Sequence, residues 1–132
     1  MKAELEKVIE TEILNFLRHV GIYCWKNERM GTWDAAKGVY RRNNNPHKIR
    51  GVSDIIGLIG PGRFLAIEVK SKTGTVSPEQ RVFLARINNE GGIAFVARDL
   101  AQCISQLQVL FPEHARLHEC ARDYLDTNFR QH

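Results

Sequence analysis

The strongest constraint on the fold is an apolar run at residues 93–97, Ile-Ala-Phe-Val-Ala, which follows a helical segment. A strand without any polar position is typically buried on both of its faces. A strand that is reached through a helical crossover can pair in parallel with an earlier strand. The run therefore predicts an α/β fold in which a mixed central sheet is flanked by helices.

The earlier part of the chain predicts a helix and further strands. Apolar residues recur at helical spacing over residues 3–20, and Gly21 suits the C-terminal end of that helix. Gly60-Pro61-Gly62 lies between two apolar stretches and predicts a tight turn that joins them as a hairpin. The predicted strands are residues 22–25, 54–59, 63–70 and 93–97.

Two further helices have recognisable start signals. Ser77 suits an N-cap, Pro78 the first helical position and Gln80 the third, which together make a capping box. Asp99 suits the N-cap of a helix that runs to about residue 110, and residues 112–132 form a helical C-terminal extension. The predicted order is therefore α-β-β-β-α-β, followed by helices.

Composition narrows the class of protein. A length of 132 residues predicts one domain, and 43% hydrophobic with 26% charged residues is typical of a globular protein. No run approaches the ~20 apolar residues of a membrane helix, and the charged N-terminal segment lacks the apolar core of a signal peptide. The three cysteines form no C-x-x-C pair, which argues against a zinc site and predicts a cytoplasmic location. A net charge of +4 permits a nucleic-acid partner without requiring one.

Residues 26–50 are polar and basic, and they predict a long loop that can include a short strand at Val39-Tyr40. A loop of this length within a small domain tends to be functional. We expect its cations to contact DNA phosphates and Trp33 and Tyr40 to stack on bases; the alternative is a solvated loop with incidental charge. The candidate DNA-binding residues are Lys26, Arg29, Arg41, Arg42, Lys48 and Arg50.

An acid and a base interrupt the second strand of the predicted hairpin. Glu68 and Lys70 lie two positions apart, so both side chains leave the same face of the strand, and Asp54 begins the neighbouring strand. Buried charges cost free energy unless they are paired or bind a metal. Two carboxylates and water form the oxygen site that Mg²⁺ or Mn²⁺ prefers, and the lysine suits a phosphate oxygen. The alternative is a solvated cross-strand ion pair.

The order of these motifs resembles a known group of nucleases. Gly51-Val52-Ser53-Asp54, a strand, a glycine turn and Ile67-Glu68-Val69-Lys70 resemble the PD-(D/E)XK nuclease superfamily, although Ser53 stands where its name has a proline. The Ser77-Pro78-Glu79-Gln80 helix start and the strand after Gly91-Gly92 are similar to the virus-type replication-repair (VRR-NUC) nucleases. The resemblance covers residues 4 to about 110 and implies a restriction-endonuclease-like core.

The resemblance also implies roles for individual residues. Asp54 and Glu68 would bind the metal, the Val69 carbonyl could be a further ligand, and Lys70 would orient the water or steady the transition state. Gln80 matches a glutamine of the VRR-NUC pattern, but the capping box explains this residue equally well. These roles are expectations from the family.

A glutamate from the first helix often completes such sites, and two candidates are present. Glu10 is favoured because its distance from Gly21 is similar to the pattern in archaeal Holliday junction resolvases. Glu6 stays open because it lies closer to the apolar stripe of the helix. For either residue, a solvated helix carboxylate is the alternative.

These features predict a Mg²⁺-dependent DNA nuclease, and the resemblance implies action on branched DNA such as Holliday junctions and a viral or prophage repair enzyme. The rival hypothesis is a non-catalytic DNA-binding or assembly module, which would tend to have lost Asp54, Glu68 or Lys70. A protein-interaction domain would leave the basic loop and the buried charges unexplained.

A homodimer is expected because a symmetric junction requires two active sites in a fixed relation. The C-terminal segment offers one apolar stripe for such a contact, and the alternative is that the stripe packs on its own domain. The stripe consists of Leu117, Ala121, Tyr124 and Leu125.

Overall fold

The computed structural model of the chain describes residues 2–28, 32–41 and 45–130. The helices are α1 (Lys2–Val20), α2 (Pro78–Asn89), α3 (Leu100–Leu110) and α4 (Ala115–Arg130). The strands are β1 (Tyr23–Lys26), β2 (Thr32–Asp34), β3 (Val39–Arg41), β4 (Ile55–Ile59), β5 (Arg63–Val69) and β6 (Ile93–Ala97). No helix in the described part of the chain is both long enough and apolar enough to cross a membrane.

Four strands form the central sheet in the order β1-β4-β5-β6. The β1–β4 and β4–β5 pairs are antiparallel, whereas β5 and β6 are parallel and are joined through α2. The mixed sheet predicted from the apolar run at residues 93–97 is confirmed, and so is the hairpin around Gly60-Pro61-Gly62.

One face of the sheet packs against α1, α3 and α4 and holds the larger part of the core. Alternate residues of β5 point into this core, because successive side chains of a strand leave opposite faces. Helix α4 closes the core from the C-terminal side. Fully buried side chains on this face include Ile13, Leu17, Ile55, Leu65, Ile67 and Leu107.

On the opposite face, α2 packs on β5 and β6 and is the one helix that covers it within residues 2–28, 32–41 and 45–130. A small apolar cluster of Ile56, Ala66, Leu84 and Ala94 fills that contact. The other half of this face carries exposed apolar side chains on β1, β4 and the start of β5. We call these four residues the open sheet face: Tyr23, Trp25, Leu58 and Phe64.

The local start and stop signals act as predicted. Gly21 has φ +97°, and its N–H donates to the carbonyl of Leu17 at the end of α1. The Ser77 side chain caps α2 in a capping box with Gln80, and the Asp99 carboxylate accepts from the N–H of Gln102 at the start of α3.

The basic segment contains more regular structure than the predicted loop. Strands β2 and β3 form an antiparallel hairpin in which Trp33 is the Cα partner of Tyr40. The Asp34 carboxylate accepts from the N–H groups of Ala36 and Lys37, which stabilises the turn between the strands. The short strand expected at Val39-Tyr40 is confirmed by β3, whereas β2 and the hairpin were not predicted; the Asp34 acceptor and Gly38 support the turn between the two strands.

The C-terminal stripe packs on its own domain. Leu117 and Ala121 are 0% exposed and belong to the main core, and Tyr124 packs against that core. Leu125 is 52% exposed at the far end of the stripe. The stripe as a whole is therefore not a free dimer surface, because the core formed by α1 and α3 already covers it.

This arrangement predicts unequal effects of two leucine truncations on one helix. Leu117→Ala should lower the free energy of unfolding by about 3 kcal/mol, because it leaves a cavity in a closed core. Leu125→Ala is the control and should change the free energy by less than about 0.5 kcal/mol. Urea unfolding followed by circular dichroism measures both, and equal effects would contradict the packing of α4.

Candidate active site

The register of the β4–β5 hairpin places two carboxylates together. Ile55 is the Cα partner of Ile67, so the preceding Asp54 lies opposite the following Glu68 at the same end of the sheet. The N–H of Val69 donates to Asp54 Oδ2 over 2.8 Å and orients that carboxylate across the two strands. The sequence prediction that Asp54 lies near Glu68 agrees with this geometry.

Glu68 is only 1% exposed although it is an acid. It leaves β5 on the same face as Ala66, beneath the N-terminal end of α2. Its Oε1 accepts from Gln80 Nε2 over 2.8 Å and lies 3.8 Å from Lys70 Nζ. Lys70 itself is largely buried, with a side chain that is 14% exposed. The two residues therefore form a desolvated acid–base pair rather than the solvated ion pair of the alternative hypothesis.

Gln80 connects the helix cap to the acidic pair. Its Oε1 accepts from the N–H of Ser77 over 2.9 Å, while its Nε2 donates to Glu68. One side-chain amide thus completes the capping box and orients the buried carboxylate. The predicted capping role is confirmed, and the hydrogen bond to Glu68 places Gln80 at the candidate site, while its functional role stays a prediction.

Gly51 allows the chain before Asp54 to approach the start of α2. It has φ +77°, and a Cβ built there would lie 2.7 Å from the backbone nitrogen of Gln80 and would also collide with the backbone of Glu79. Sequence reasoning treated Gly51 only as part of a motif. The positive φ of Gly51 and its close approach to α2 are properties of the tertiary structure, and no sequence signal indicated them.

Glu10 approaches the site from α1. Lys26 Nζ lies 3.3 Å from Glu10 Oε1, and the Glu10 side chain is 11% exposed. Burial raises the pKa of Glu10, and the negative charge of Asp54 adds to this, while the hydrogen bond and charge of Lys26 oppose it. The Glu10 carboxylate is therefore partly desolvated and is paired with Lys26.

Glu6, the other candidate from α1, lies beside a different element. Its Oε1 accepts from the N–H of Ser71 over 3.3 Å, in the turn that follows Lys70. Glu6 therefore lies beside the turn that follows Lys70, and the choice between Glu10 and Glu6 stays a prediction.

The described basic candidates lie in different surroundings. Lys48 and Arg50 are exposed, and Lys26 is paired with Glu10. Arg41 belongs to β3, whereas Arg29 and Arg42 lie outside the described residues. The proposed base stacking by Trp33 and Tyr40 stays a prediction, because the structure describes only their backbone.

The donor set consists of oxygen atoms. Among the described residues, no group of three or more His, Cys, Asp or Glu side chains is arranged to hold a metal ion. Asp54 and Glu68 are the two carboxylates that the β4–β5 register brings opposite one another. Mg²⁺ commonly binds to one or two carboxylates and keeps several waters, so these residues fit that ion in number and chemistry.

A glycine substitution tests whether the close approach at Gly51 maintains the site. Gly51→Ala adds a collision with the start of α2 to the strain of a positive φ, and we expect an additional loss of about 1–3 kcal/mol of stability. Gly91→Ala is the matched control, because Gly91 has φ +93° and open space around its Cβ position. Urea unfolding of both variants gives the difference, and equal losses would show that the approach is not tight.

Comparisons with known proteins agree with this geometry. The sequence model of the VRR-NUC domain family matches residues 30–99, which is more than half of the 132-residue chain. A solved structure described as a "VRR_NUC domain protein" is similar with a TM-score of 0.55 and 21% identity, over 78% of this chain and 84% of that one. At this identity the likeness shows the fold alone. No curated protein matches the sequence.

Proposed function

This chain belongs to the VRR-NUC domain family, and on that basis we propose that it is a metal-dependent nuclease that hydrolyses phosphodiester bonds of DNA. The observation that carries the proposal is the buried Glu68–Lys70 pair opposite Asp54. A buried acid and base on an otherwise apolar strand are costly for folding, so a catalytic role accounts for their presence. The wider relation to the PD-(D/E)XK superfamily belongs to the same proposal.

Asp54 and Glu68 would hold the metal, with the Val69 carbonyl and Glu10 as further candidate oxygen ligands. We propose Mg²⁺ as the ion, and we expect Mn²⁺ to substitute. When bound, such an ion polarises a phosphoryl oxygen and lowers the pKa of the attacking water.

The protein's own groups then position and neutralise the substrate. The N–H of Val69 and the amide of Gln80 hold the Asp54 and Glu68 carboxylates in fixed orientations. Lys70, 3.8 Å from Glu68, presents a positive charge to the phosphate, where negative charge grows in the transition state. Because the pair is buried, its electrostatic interactions are stronger than they would be in water.

The rival hypothesis is a DNA-binding module without catalysis on the same fold. It predicts that the acidic pair has no special chemistry, and that loss of a carboxylate leaves every function intact. The retention of all three of Asp54, Glu68 and Lys70 in one buried arrangement favours the enzyme.

Conservative substitutions test the metal site directly. Asp54→Asn and Glu68→Gln should abolish cleavage of a labelled DNA substrate in Mg²⁺ and weaken binding of Mn²⁺ in calorimetry, because each removes one anionic oxygen ligand. Asp126→Asn, an exposed acid on α4, is the control and should behave like the wild type. Full activity in either site variant, or cleavage undiminished by EDTA, would sink the proposed mechanism.

The exposed cations before Gly51 are proposed to bind DNA phosphates. Replacing Lys48 and Arg50 with alanine should reduce the slope of log affinity against log salt by about 2, one unit for each lost phosphate contact. The double replacement of Arg116 and Arg122 on α4 removes the same charge and should leave the slope unchanged. Fluorescence anisotropy at several salt concentrations provides the slopes, and equal slopes in all variants would place the DNA elsewhere.

We further propose that the preferred substrate is branched DNA and that the enzyme acts as a homodimer. The open sheet face is a better dimer surface than the C-terminal stripe, because Tyr23 is 70% exposed and Trp25 contacts it edge-on. Exposed apolar patches of this kind commonly mark interaction sites. Phe64 leaves β5 on the same face as Glu68, so a symmetric pairing here would relate two active sites.

Sedimentation velocity at micromolar concentration tests the dimer. The wild type should sediment as a dimer of the 15.1 kDa chain, and Leu58→Asp should give a monomer because it places a charge in an interface of about 800 Å² per partner. Val109→Asp, at an exposed position on α3, is the control. A monomeric wild type, also with junction DNA present, would remove the dimer and favour flap or nick cleavage.

A further inference from the structure

A short turn at residues 71–74 directly follows Lys70 and is bound by an arginine from another strand end. Arg98 Nη1 donates to the carbonyl of Ser71 over 2.7 Å and to the carbonyl of Gly74 over 2.8 Å. A longer contact of 3.4 Å reaches the carbonyl of Lys72. One guanidinium nitrogen thus contacts three carbonyls of the turn, and Ser71 and Gly74 are themselves buried.

The turn has two further anchors. The N–H of Lys70 donates to the carbonyl of Ala97 over 3.1 Å, which continues the parallel pairing of β5 with β6. The Glu6 carboxylate accepts from the N–H of Ser71. The backbone of Lys70 is therefore fixed by a sheet hydrogen bond, and the turn that follows it is held by both Arg98 and Glu6.

Arg98 is well placed to hold the turn because its own backbone is constrained. It directly follows β6 and precedes Asp99, the N-cap of α3. Its N–H donates to Gln102 Oε1 over 2.6 Å. The Arg98 side chain therefore extends from a junction between β6 and α3 whose backbone is itself hydrogen-bonded.

The position of the Lys70 ammonium depends on this backbone. A lysine side chain has four rotatable methylene links, so its Nζ is placed only as well as the backbone and the packing allow. Nζ lies 3.8 Å from Glu68 Oε1, a separation at the edge of direct ion pairing. A small displacement of the turn would move the charge away from the carboxylate pair.

We propose that Arg98 is a positioning residue for Lys70: by binding the carbonyls of Ser71 and Gly74 it fixes the turn that carries Lys70 beside Glu68. The expected effect on cleavage rests on the proposed nuclease function. The claim that Arg98 fixes the turn rests only on the hydrogen bonds. The competing explanation is that Arg98, which is partly exposed, contacts a DNA phosphate.

The test compares Arg98→Ala with the control Arg86→Ala. Arg86 is an exposed arginine on α2 that pairs with Glu90 one turn away, so its loss removes the same charge without touching the turn. We measure the single-turnover cleavage rate, the DNA affinity and the exchange rate of the Gly74 amide, whose N–H donates to the carbonyl of Ser71.

Arg98→Ala should lower the single-turnover rate by roughly a hundredfold, because small misplacement of a catalytic group costs about that much. DNA affinity should change less than about twofold, since only a transition-state interaction is lost. The Gly74 amide should exchange about tenfold faster, because hydrogen bonds from a charged donor no longer restrain the turn. Arg98→Lys should recover part of the rate, since an ammonium offers three donors.

Two results would overturn the proposal. One is an Arg98→Ala protein with wild-type turnover and wild-type Gly74 exchange. The other is a DNA affinity that falls in step with the rate, which would identify a phosphate contact instead. If Arg98→Ala does not fold, Arg98→Met, which keeps an unbranched side chain but has no donor, is judged by the same measurements, and wild-type protection of the Gly74 amide together with a wild-type rate in that variant rejects the proposal.

Failure of the proposed function would look different. A wild-type protein that cuts no DNA would reject the nuclease, yet the exchange of the Gly74 amide in Arg98→Ala against Arg86→Ala would still decide whether Arg98 holds the turn.

Discussion

The antiparallel pairing of β4 with β5 sets Ile55 opposite Ile67, and the remaining features of the site depend on this register. A slip by one residue would move Glu68 to the face that α1, α3 and α4 cover and would send Ile67 to the other side. Such a slip is disfavoured because Leu65 and Ile67 are both fully buried in the main core. The apolar core on one face thereby determines where the two carboxylates lie on the other.

The crossover from β5 to β6 adds the second layer of the site. Helix α2 packs over these two strands, and its first turn lies directly above Glu68. The capping box holds Gln80 in a single orientation, so a feature that stabilises a helix also orients a buried acid. Gly51 allows the chain segment before Asp54 to approach the same end of α2. The start of α2 therefore links local helix stability with the geometry of the carboxylate pair.

The two faces of the sheet are covered to different extents. The more covered face holds most of the apolar core, and the other face carries the candidate site. Three helices close one face and bury the larger apolar cluster. Among the described residues, α2 is the one helix that packs on the other face, and the open sheet face is exposed there. Glu68 is buried beneath α2, where Gln80 and Lys70 both contact its Oε1 and offset part of the cost of burying the charge.

The sequence alone determined the elements whose signals are local. Hydrophobic periodicity predicted α1, the apolar run predicted β6, and capping residues such as Ser77 and Asp99 located the starts of two helices. The spacing of Glu68 and Lys70 placed them on one face, because the period of a strand is intrinsic to the backbone. Only the tertiary structure decided the remaining relations: the burial of the C-terminal stripe, the Glu10–Lys26 pair and the contact of Arg98 with the turn after Lys70. These join residues that are distant in the chain or depend on which face is already covered, and no local pattern encodes such a choice.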